Sequence, residues 1–346
     1  MSTTEVITGF RSAREVLAQS RTLLDPALRA AVDTLPQSVR RIAGYHFGWW
    51  DEHGWATTAD AGKAVRPALV LTTAEAVGGA AAMAVPAAVA VELVHNFTLL
   101  HDDVMDGDRT RRHRPTAWSV FGLGPAILAG DALLTLAYDV LAASEHPRAQ
   151  AGSRLMSAAV LAVQEGQAAD LAFEKRADVD LAECVRMAEG KTGALLGCST
   201  ALGALFGGGT PTQVDHLRGY GERLGLAFQL VDDLLGIWGD PEATGKPVYS
   251  DLDNRKKSLP VVAALASATT AARDLAALYH RRTPLTPTDL GRAAELIDRT
   301  GARTWAQTHA DEVLTEALNH VRAAAVTPRA TAELHALAQM ISHRDH

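Results

Sequence analysis

The chain is poor in several features that would each have pointed to a definite class. It has only two cysteines, Cys184 and Cys198, with no metal-ligating partner beside either. That excludes a disulfide framework and fits a reducing cytoplasm. Aromatic residues are 5% of the 346, so a core must be built from Ala, Leu and Val. Apolar–polar alternation is scarce, and abundant Ala and Leu favour an all-α chain. A net charge of −7 gives no global attraction to nucleic acid or to an anionic membrane, so any polyanion must be met by a local basic cluster. The N-terminal MSTTEVITGFRSAREVL lacks the apolar run of a secretory signal. The most membrane-like stretch, residues 80–91, is interrupted by Pro86 and falls short of the ~20 residues of a spanning helix. It is expected to start a buried central helix in a soluble, cytoplasmic protein with no membrane span. A GxxxxGK[ST] loop and a parallel-sheet pattern are both missing, which removes the P-loop nucleotide hydrolases.

What is present centres on residues 92–116, ELVHNFTLLHDDVMDGDRTRRHRPT. A long helix is expected over residues 81–105. Asp102, Asp103 and Asp106 lie on it at spacings of one, three and four, which gathers carboxylates on one face. They stand near the helix C-terminus, where the dipole opposes them, so a solvated acidic face explains them poorly. Arg109, Arg111, Arg112 and Arg114 follow at once. Acid next to base suggests hard cations together with a polyanion such as diphosphate. His95 is two turns before Asp102 and shares its side of the helix.

Other parts of the chain repeat the theme. Residues 61–67, AGKAVRP, open a helix with Lys63 and Arg66 beside its positive end, a place suited to phosphate. Gln167 and Asp170 lie on an otherwise Ala- and Leu-rich surface. Lys191 is flanked by Gly190 and Gly193 in GKTG; glycine costs a helix roughly 1 kcal/mol, so the backbone there is expected to be opened or closely approached. A second acidic cluster, Gln229, Asp232 and Asp233, lies on a helix ending near Trp238. A turn-rich loop then presents Lys246, and a further basic cluster holds Lys256. Upstream, an amphipathic segment from about Pro26 to Trp50 bends at Pro36, with His46, Trp49, Trp50, His53 and Trp55 read as a packed helix end. Gly130 and Asp131 are expected to give close packing and a polar contact. One domain over 1–346 accounts for the pattern, with an entry region at 1–60, a motif-bearing core at 61–260 and packing helices at 261–346. If the two acidic helices face each other, their carboxylates can hold several Mg2+ ions between them, since Mg2+ takes oxygen ligands and bridges carboxylates to phosphates.

The motifs stand in a recognisable order: GKxxRP at 62–67, DDxxD at 102–106, RRxxPT at 111–116, GQxxDL at 166–171, KTG at 191–193, FQxxDD at 228–233 and GK at 245–246. In this series the sequence resembles the trans-isoprenyl diphosphate synthases of the polyprenyl synthetase family, from Gly62 to Pro260 and onward toward Arg344. The resemblance implies an isoprenoid synthase-type helical bundle around a deep central cavity, usually as a homodimer. It implies that Asp102, Asp106 and Asp232 are Mg2+ ligands for three ions, with Asp103 and Asp233 supporting them. Arg111, Lys191 with Thr192, Gln229, Lys246 and Lys256 match positions for an allylic diphosphate. Lys63, Arg66, His95 and Arg112 match positions for isopentenyl diphosphate, and Gln167 and Asp170 an inner polar pair near the reacting carbons. The implied reaction is condensation of the two substrates by metal-assisted ionisation.

Two positions depart from the pattern. Gly236 takes the place of the last aspartate of the second DDxxD, removing one water-linked outer carboxylate, and His113 stands where glycine is common. Phe97, five residues before Asp102 and so ~7.5 Å deeper along the helix, is expected to close the cavity floor, with Thr98 leaving space beside it. This resembles synthases stopping at C20 (geranylgeranyl diphosphate), with C15 (farnesyl diphosphate) the alternative. A terpene cyclase on the same fold would not need Lys63, Arg66, His95 and Arg112. A non-catalytic subunit of a heteromeric synthase would be expected to lose one of the charged clusters.

Overall fold

The computed structural model describes residues 9–57, 59, 62–176, 178–241, 247–279, 281 and 283–342. Its helices are α1 (Ala13–Asp33), α2 (Gln37–His46), α3 (Val65–Ala76), α4 (Val85–Met105), α5 (Ala117–Phe121), α6 (Leu123–Ala143), α7 (Ala149–Phe173), α8 (Leu181–Ala188), α9 (Ala194–Phe206), α10 (Pro211–Trp238), α11 (Ser250–Asp253), α12 (Leu259–Ala266), α13 (Thr270–Tyr279), α14 (Pro287–Arg299), α15 (Ala302–Ala323) and α16 (Pro328–Ser342). A short hairpin, β1 (Thr110–Arg111) and β2 (Arg114–Pro115), is the only sheet among the described residues. The chain is all-α, as expected.

Two compact units divide the chain. One comprises residues 1–158, 198–218 and 321–337; the other comprises residues 159–197, 219–320 and 338–346.

In the first unit α1 begins at a capping box, Ser12 accepting from the Glu15 backbone N–H while Glu15 reaches back to Ser12. Val16, Ser20, Leu24, Leu28 and Val32 recur every four residues and form its buried stripe. The expected start near Pro26 is therefore wrong. The cap sets the start thirteen residues earlier by position, and the apolar stripe carries the helix through a proline. Pro36 ends up as the cap before α2. α4 is the central element, packed against α3 and α6, and its Ala- and Val-rich surface is buried over most of its length. The stretch 80–91 was too narrow a window for its length. The segment Ala81–Met105 is long and apolar enough to cross a membrane by length and composition, but 67% of its most apolar window is buried in the protein. α6 meets the same length and composition test. Gly203 of α9 allows helix contact with α3, since a Cβ there would lie 2.1 Å from the Val70 carbonyl oxygen. Arg11 bonds both carboxylate oxygens of Glu333 at 2.9 and 2.6 Å, tying the start of the chain to α16.

In the second unit α8 starts at another capping box, Asp180 with Glu183. Between α8 and α9 the residues Glu189–Gly193 form a π-helical turn. The loosened backbone predicted around GKTG is thus a widened turn, a form that recurs at functional sites. Ile237, Leu252, Val261, Leu275, Leu278, Leu296 and Ile297 join α10 to α14 in one apolar cluster.

Candidate active site

The first unit gathers its charged residues around α4. Successive side chains on a helix point about 100° apart, while residues four apart share a face. Asp102 and Asp106 accordingly face outward together, half-buried and exposed, and Asp106 is the residue that ends the helix. Asp103 turns inward and is 1% exposed. Burial pushes its carboxyl up to about 6 despite Arg111, whose Nε donates to Oδ1 at 2.7 Å. Oδ2 is buried with no hydrogen-bond partner.

Arg111 and Arg112 come from the hairpin. Its turn residues Arg112 and His113 have φ of 50° and 60°, as a two-residue turn between right-twisted strands requires. His113 is held in a left-handed conformation that glycine adopts without a Cβ penalty, which gives the departure at this position a physical meaning. Tyr45 donates to the Pro115 carbonyl at 2.8 Å, and Arg114 lies 4.4 Å over the Tyr45 ring while donating to the Tyr45 carbonyl. Arg114 is thus a tie between the hairpin and α2.

Beneath the hairpin the basic residues meet. Arg66 Nη1 lies 3.3 Å from His95 Nε2. Burial, then Arg66, Arg112 and Arg111, hold His95 well below its ordinary value, so its Nε2 accepts from the arginine. Burial lowers Arg66 to about 10, partly offset by Glu92, which leaves it cationic at neutral pH. Arg66 Nε is buried without a partner. The Arg112 guanidinium packs on Gly62, where a Cβ would come within 2.4 Å, and Gly62 has φ +85°. Lys63 is exposed.

The second unit builds a different chain of contacts. Lys191 Nζ donates to Asp170 Oδ2 at 2.5 Å. The glycines of both motifs make this possible: a Cβ on Gly166 would lie 2.3 Å from Lys191 N, and one on Gly190 would lie 2.9 Å from the Ala162 carbonyl. Thr192 donates to Gln229 at 2.6 Å, and Gln229 donates to Asp233 Oδ1 at 2.8 Å. The Leu259 backbone N–H donates to Asp233 Oδ2 at 2.8 Å. Lys256 Nζ lies 3.5 Å from Asp233 and 3.7 Å from Asp251. Burial raises Asp233 to about 6 against the pull of Lys256. Gln167 is 6% exposed and neither amide atom has a partner. Asp232 is half-buried beside Asp233. Lys246 lies outside the described residues.

The place of Gly236 is also accounted for. A Cβ on it would come within 2.4 Å of an Asp251 carboxylate oxygen. A carboxylate thus already lies against the position where the second motif lacks its own. Nothing local in the sequence announces this, because Asp251 lies fifteen residues further along the chain, in α11. His46 was read only as helix-end packing. Burial first, then Arg111 and Arg112, lower it to about 3, and Asn96 hydrogen-bonds it. Asn96 Nδ2 donates to both the backbone and side-chain oxygens of Glu92. The i, i+4 pair Glu92 and Asn96 on an apolar helix was the available signal for this polar layer.

The outward side chains Asp102 and Asp106 in the first unit, and Asp232 in the second, each offer carboxylate oxygen. No group of three or more His, Cys, Asp or Glu that could hold a metal ion occurs among the described residues. That pattern fits Mg2+, which is bound through one or two carboxylates plus substrate phosphates and water, and does not fit a dedicated protein cage.

An all-α fold carrying two acidic motifs with basic side chains beside each suits an enzyme that acts on diphosphates. The polyprenyl synthetase family model matches residues 48–297, and the chain belongs to that family. It is 48% identical over 337 residues to the (2E,6E)-farnesyl diphosphate synthase of Mycobacterium tuberculosis, covering 96% of this chain and 94% of that one. It is 44% identical over 333 residues to a geranylgeranyl diphosphate synthase of the same organism, with the same coverage. A polyprenyl synthetase structure from Streptomyces coelicolor A3(2) superposes with a TM-score of 0.92 at 46% identity, covering 95% and 99% of the two chains. A geranylgeranyl pyrophosphate synthase from Corynebacterium glutamicum, complexed with isoprenyl diphosphate and magnesium, gives 0.79 at 27% identity over 96% and 98%.

Proposed function

We propose that this protein extends an allylic diphosphate with isopentenyl diphosphate and stops at C20, geranylgeranyl diphosphate. The observation that carries elongation is the meeting of half-buried Arg66 and His95 at 3.3 Å, with the exposed Arg112 packed on Gly62 beside them. A guanidinium with a buried, unpartnered Nε calls for an anion, and a cyclase acting on one diphosphate has no use for this second set. Lys63, Arg66, His95 and Arg112 would hold the diphosphate of isopentenyl diphosphate. Arg111, Lys191, Thr192, Gln229, Lys246 and Lys256 would hold the allylic diphosphate, Arg111 being oriented by Asp103 and Lys256 by Asp233.

Asp102, Asp106 and Asp232 would bind the divalent ions, three Mg2+ in the full set. Bound there, the ions would neutralise charge growing on the departing diphosphate. The lysines and arginines add donors aimed at the same charge. The double bond of isopentenyl diphosphate then attacks the allylic carbon, held a few ångströms away. Gln167, whose amide is buried without a partner, and Asp170 would face the reacting carbons. The diphosphate just released would take the proton. Apolar walls around the substrates would keep water from the cation.

The relative at 48% identity is named for a C15 product and the one at 44% for a C20 product, so the comparisons do not favour C20 and its support is local. Phe97 is 5% exposed and its ring meets His101 edge-on at 4.8 Å between centroids. His101 is in turn set by the Ile127 carbonyl at 3.1 Å and by Gly130, where a Cβ would lie 2.3 Å from its ring. The rigid ring is the stop. Purified protein with Mg2+, isopentenyl diphosphate and dimethylallyl, geranyl or farnesyl diphosphate should give C20, and Phe97→Ala should give longer chains. A C15 product, an unchanged product from Phe97→Ala, or no turnover with any primer would each overturn part of this reading. The protein is expected to be soluble, cytoplasmic and dimeric; Leu123 and Leu128 of α6, 56% and 63% exposed, are an apolar surface suited to a second copy.

A further inference from the structure

We propose that His101 is a positioning residue for product length: it seats the Phe97 ring, so the stop is an assembly of α4 and α6 and not one side chain. The inference rests on the reading of Phe97 as the stop and deepens it. Phe97 and His101 are one turn apart on α4 and meet edge-on, with centroids 4.8 Å apart and planes at 67°, an attractive arrangement for two rings. Phe97 is 5% exposed. The neighbouring Thr98 hydroxyl is turned to its own helix, donating to the His95 carbonyl at 2.7 Å.

What fixes His101 comes from α6. Its Nε2 lies 3.1 Å from the Ile127 carbonyl and 3.6 Å from an Asp131 carboxylate oxygen. A carbonyl only accepts, so Nε2 carries the proton and donates. The ring also lies on Gly130, where a Cβ would come within 2.3 Å of Cδ2 and 2.4 Å of Nε2. Glycine is disfavoured inside a helix, and the imidazole supplies the reason for one here. The ring is thus held at Nε2 by a bond and over Gly130 by close approach. An aliphatic side chain at this position would fill space without offering Phe97 a fixed edge. With His101 set, Phe97 loses the freedom to turn aside from a growing chain.

The test uses the full chain with Mg2+, isopentenyl diphosphate and geranyl or farnesyl diphosphate. It reads the ratio of chains longer than the parent's product to that product. The ratio is independent of total turnover, so a merely structural defect does not move it. His101→Gln keeps an N–H for the Ile127 carbonyl but has no ring, and Gly130→Ala keeps the ring but displaces it. Each should raise the ratio roughly tenfold, and each should add less than about twofold when combined with Phe97→Ala. Gly130→Ala decides if His101→Gln is inactive. If Phe97→Ala lengthens the product while an active His101→Gln or Gly130→Ala protein keeps the parental ratio, the positioning role is overturned and the stop stands. A full further increase in the Phe97→Ala background would also overturn it, because His101 would then meet the chain itself. An unchanged ratio in Phe97→Ala would instead remove the stop on which the inference rests.

Discussion

In the first unit the outward Asp102 is followed by Asp103, buried and bonded to Arg111; in the second, the outward Asp232 is followed by Asp233, buried and paired with Lys256. Both inner carboxyls are raised to about 6, burial being the larger cause and the neighbouring cation opposing it. Within each Asp-Asp pair, then, helix geometry separates two jobs. One carboxylate is offered outward and the other fixes a basic side chain. The third position is where the motifs differ. The first closes on Asp106 from its own helix end, while the second has Gly236 packed against Asp251 from α11. A short motif can therefore be completed by a residue that is distant in sequence.

The largest test of the likeness is removal of the outward carboxylates. Asp102→Ala and Asp232→Ala should each lower kcat roughly a thousandfold, measured by product formation at saturating substrates and Mg2+. A much smaller loss for either one would end the parallel between the motifs.

The difference can be broken next. Gly236→Asp, which restores the textual motif, should destabilise the protein by about 2–3 kcal/mol through overpacking and a second carboxylate against Asp251. Urea unfolding measures this. Pairing it with Asp251→Gly should recover most of the loss, and a Gly236→Asp protein as stable as the parent would refute the exchange of positions.

A smaller effect sharpens what the motifs share. With the inner carboxyls at about 6 in the folded protein and near 3.9 when unfolded, the folded state binds more protons between those values. Their contribution is thus most favourable below the unfolded value and is lost as pH rises through about 6. In metal-free protein, lowering the pH from about 7.5 to 5.5 should add roughly 0.8 kcal/mol of stability per inner aspartate. Asp103→Asn and Asp233→Asn should each remove one such increment from the pH dependence of unfolding. An increment retained in either variant would show that its carboxyl is not the titrating group.

The smallest effect belongs to the first unit alone. His113→Gly should relieve the left-handed turn and stabilise by about 0.5 kcal/mol, seen as a small rise in the urea midpoint. A fall would mean that the imidazole makes a compensating contact.

Much of this was legible in the sequence because it depends on spacing along one helix. The three- and four-residue intervals of Asp102, Asp106 and His95, the stripe of α1 and the glycines of GKTG each state a local geometry. The amphipathic segment expected from about Pro26 starts too late, because the Ser12 capping box and the buried stripe carry α1 through that proline. His46 was passed over because its neighbours Arg111 and Arg112 come from a hairpin sixty-odd residues away in position.

By itself the sequence determined the all-α architecture and the family and named the candidate charged groups, since helix period and ordered motifs are properties of local spacing. Only the tertiary structure decided which of those groups are engaged and how. Arg111 on Asp103, Lys191 on Asp170, Asp251 against Gly236 and His101 against Gly130 all follow from burial and close approach between elements far apart in the chain. Burial is what shifts a carboxyl or an imidazole and makes an unpaired atom costly, and no spacing along one element records it.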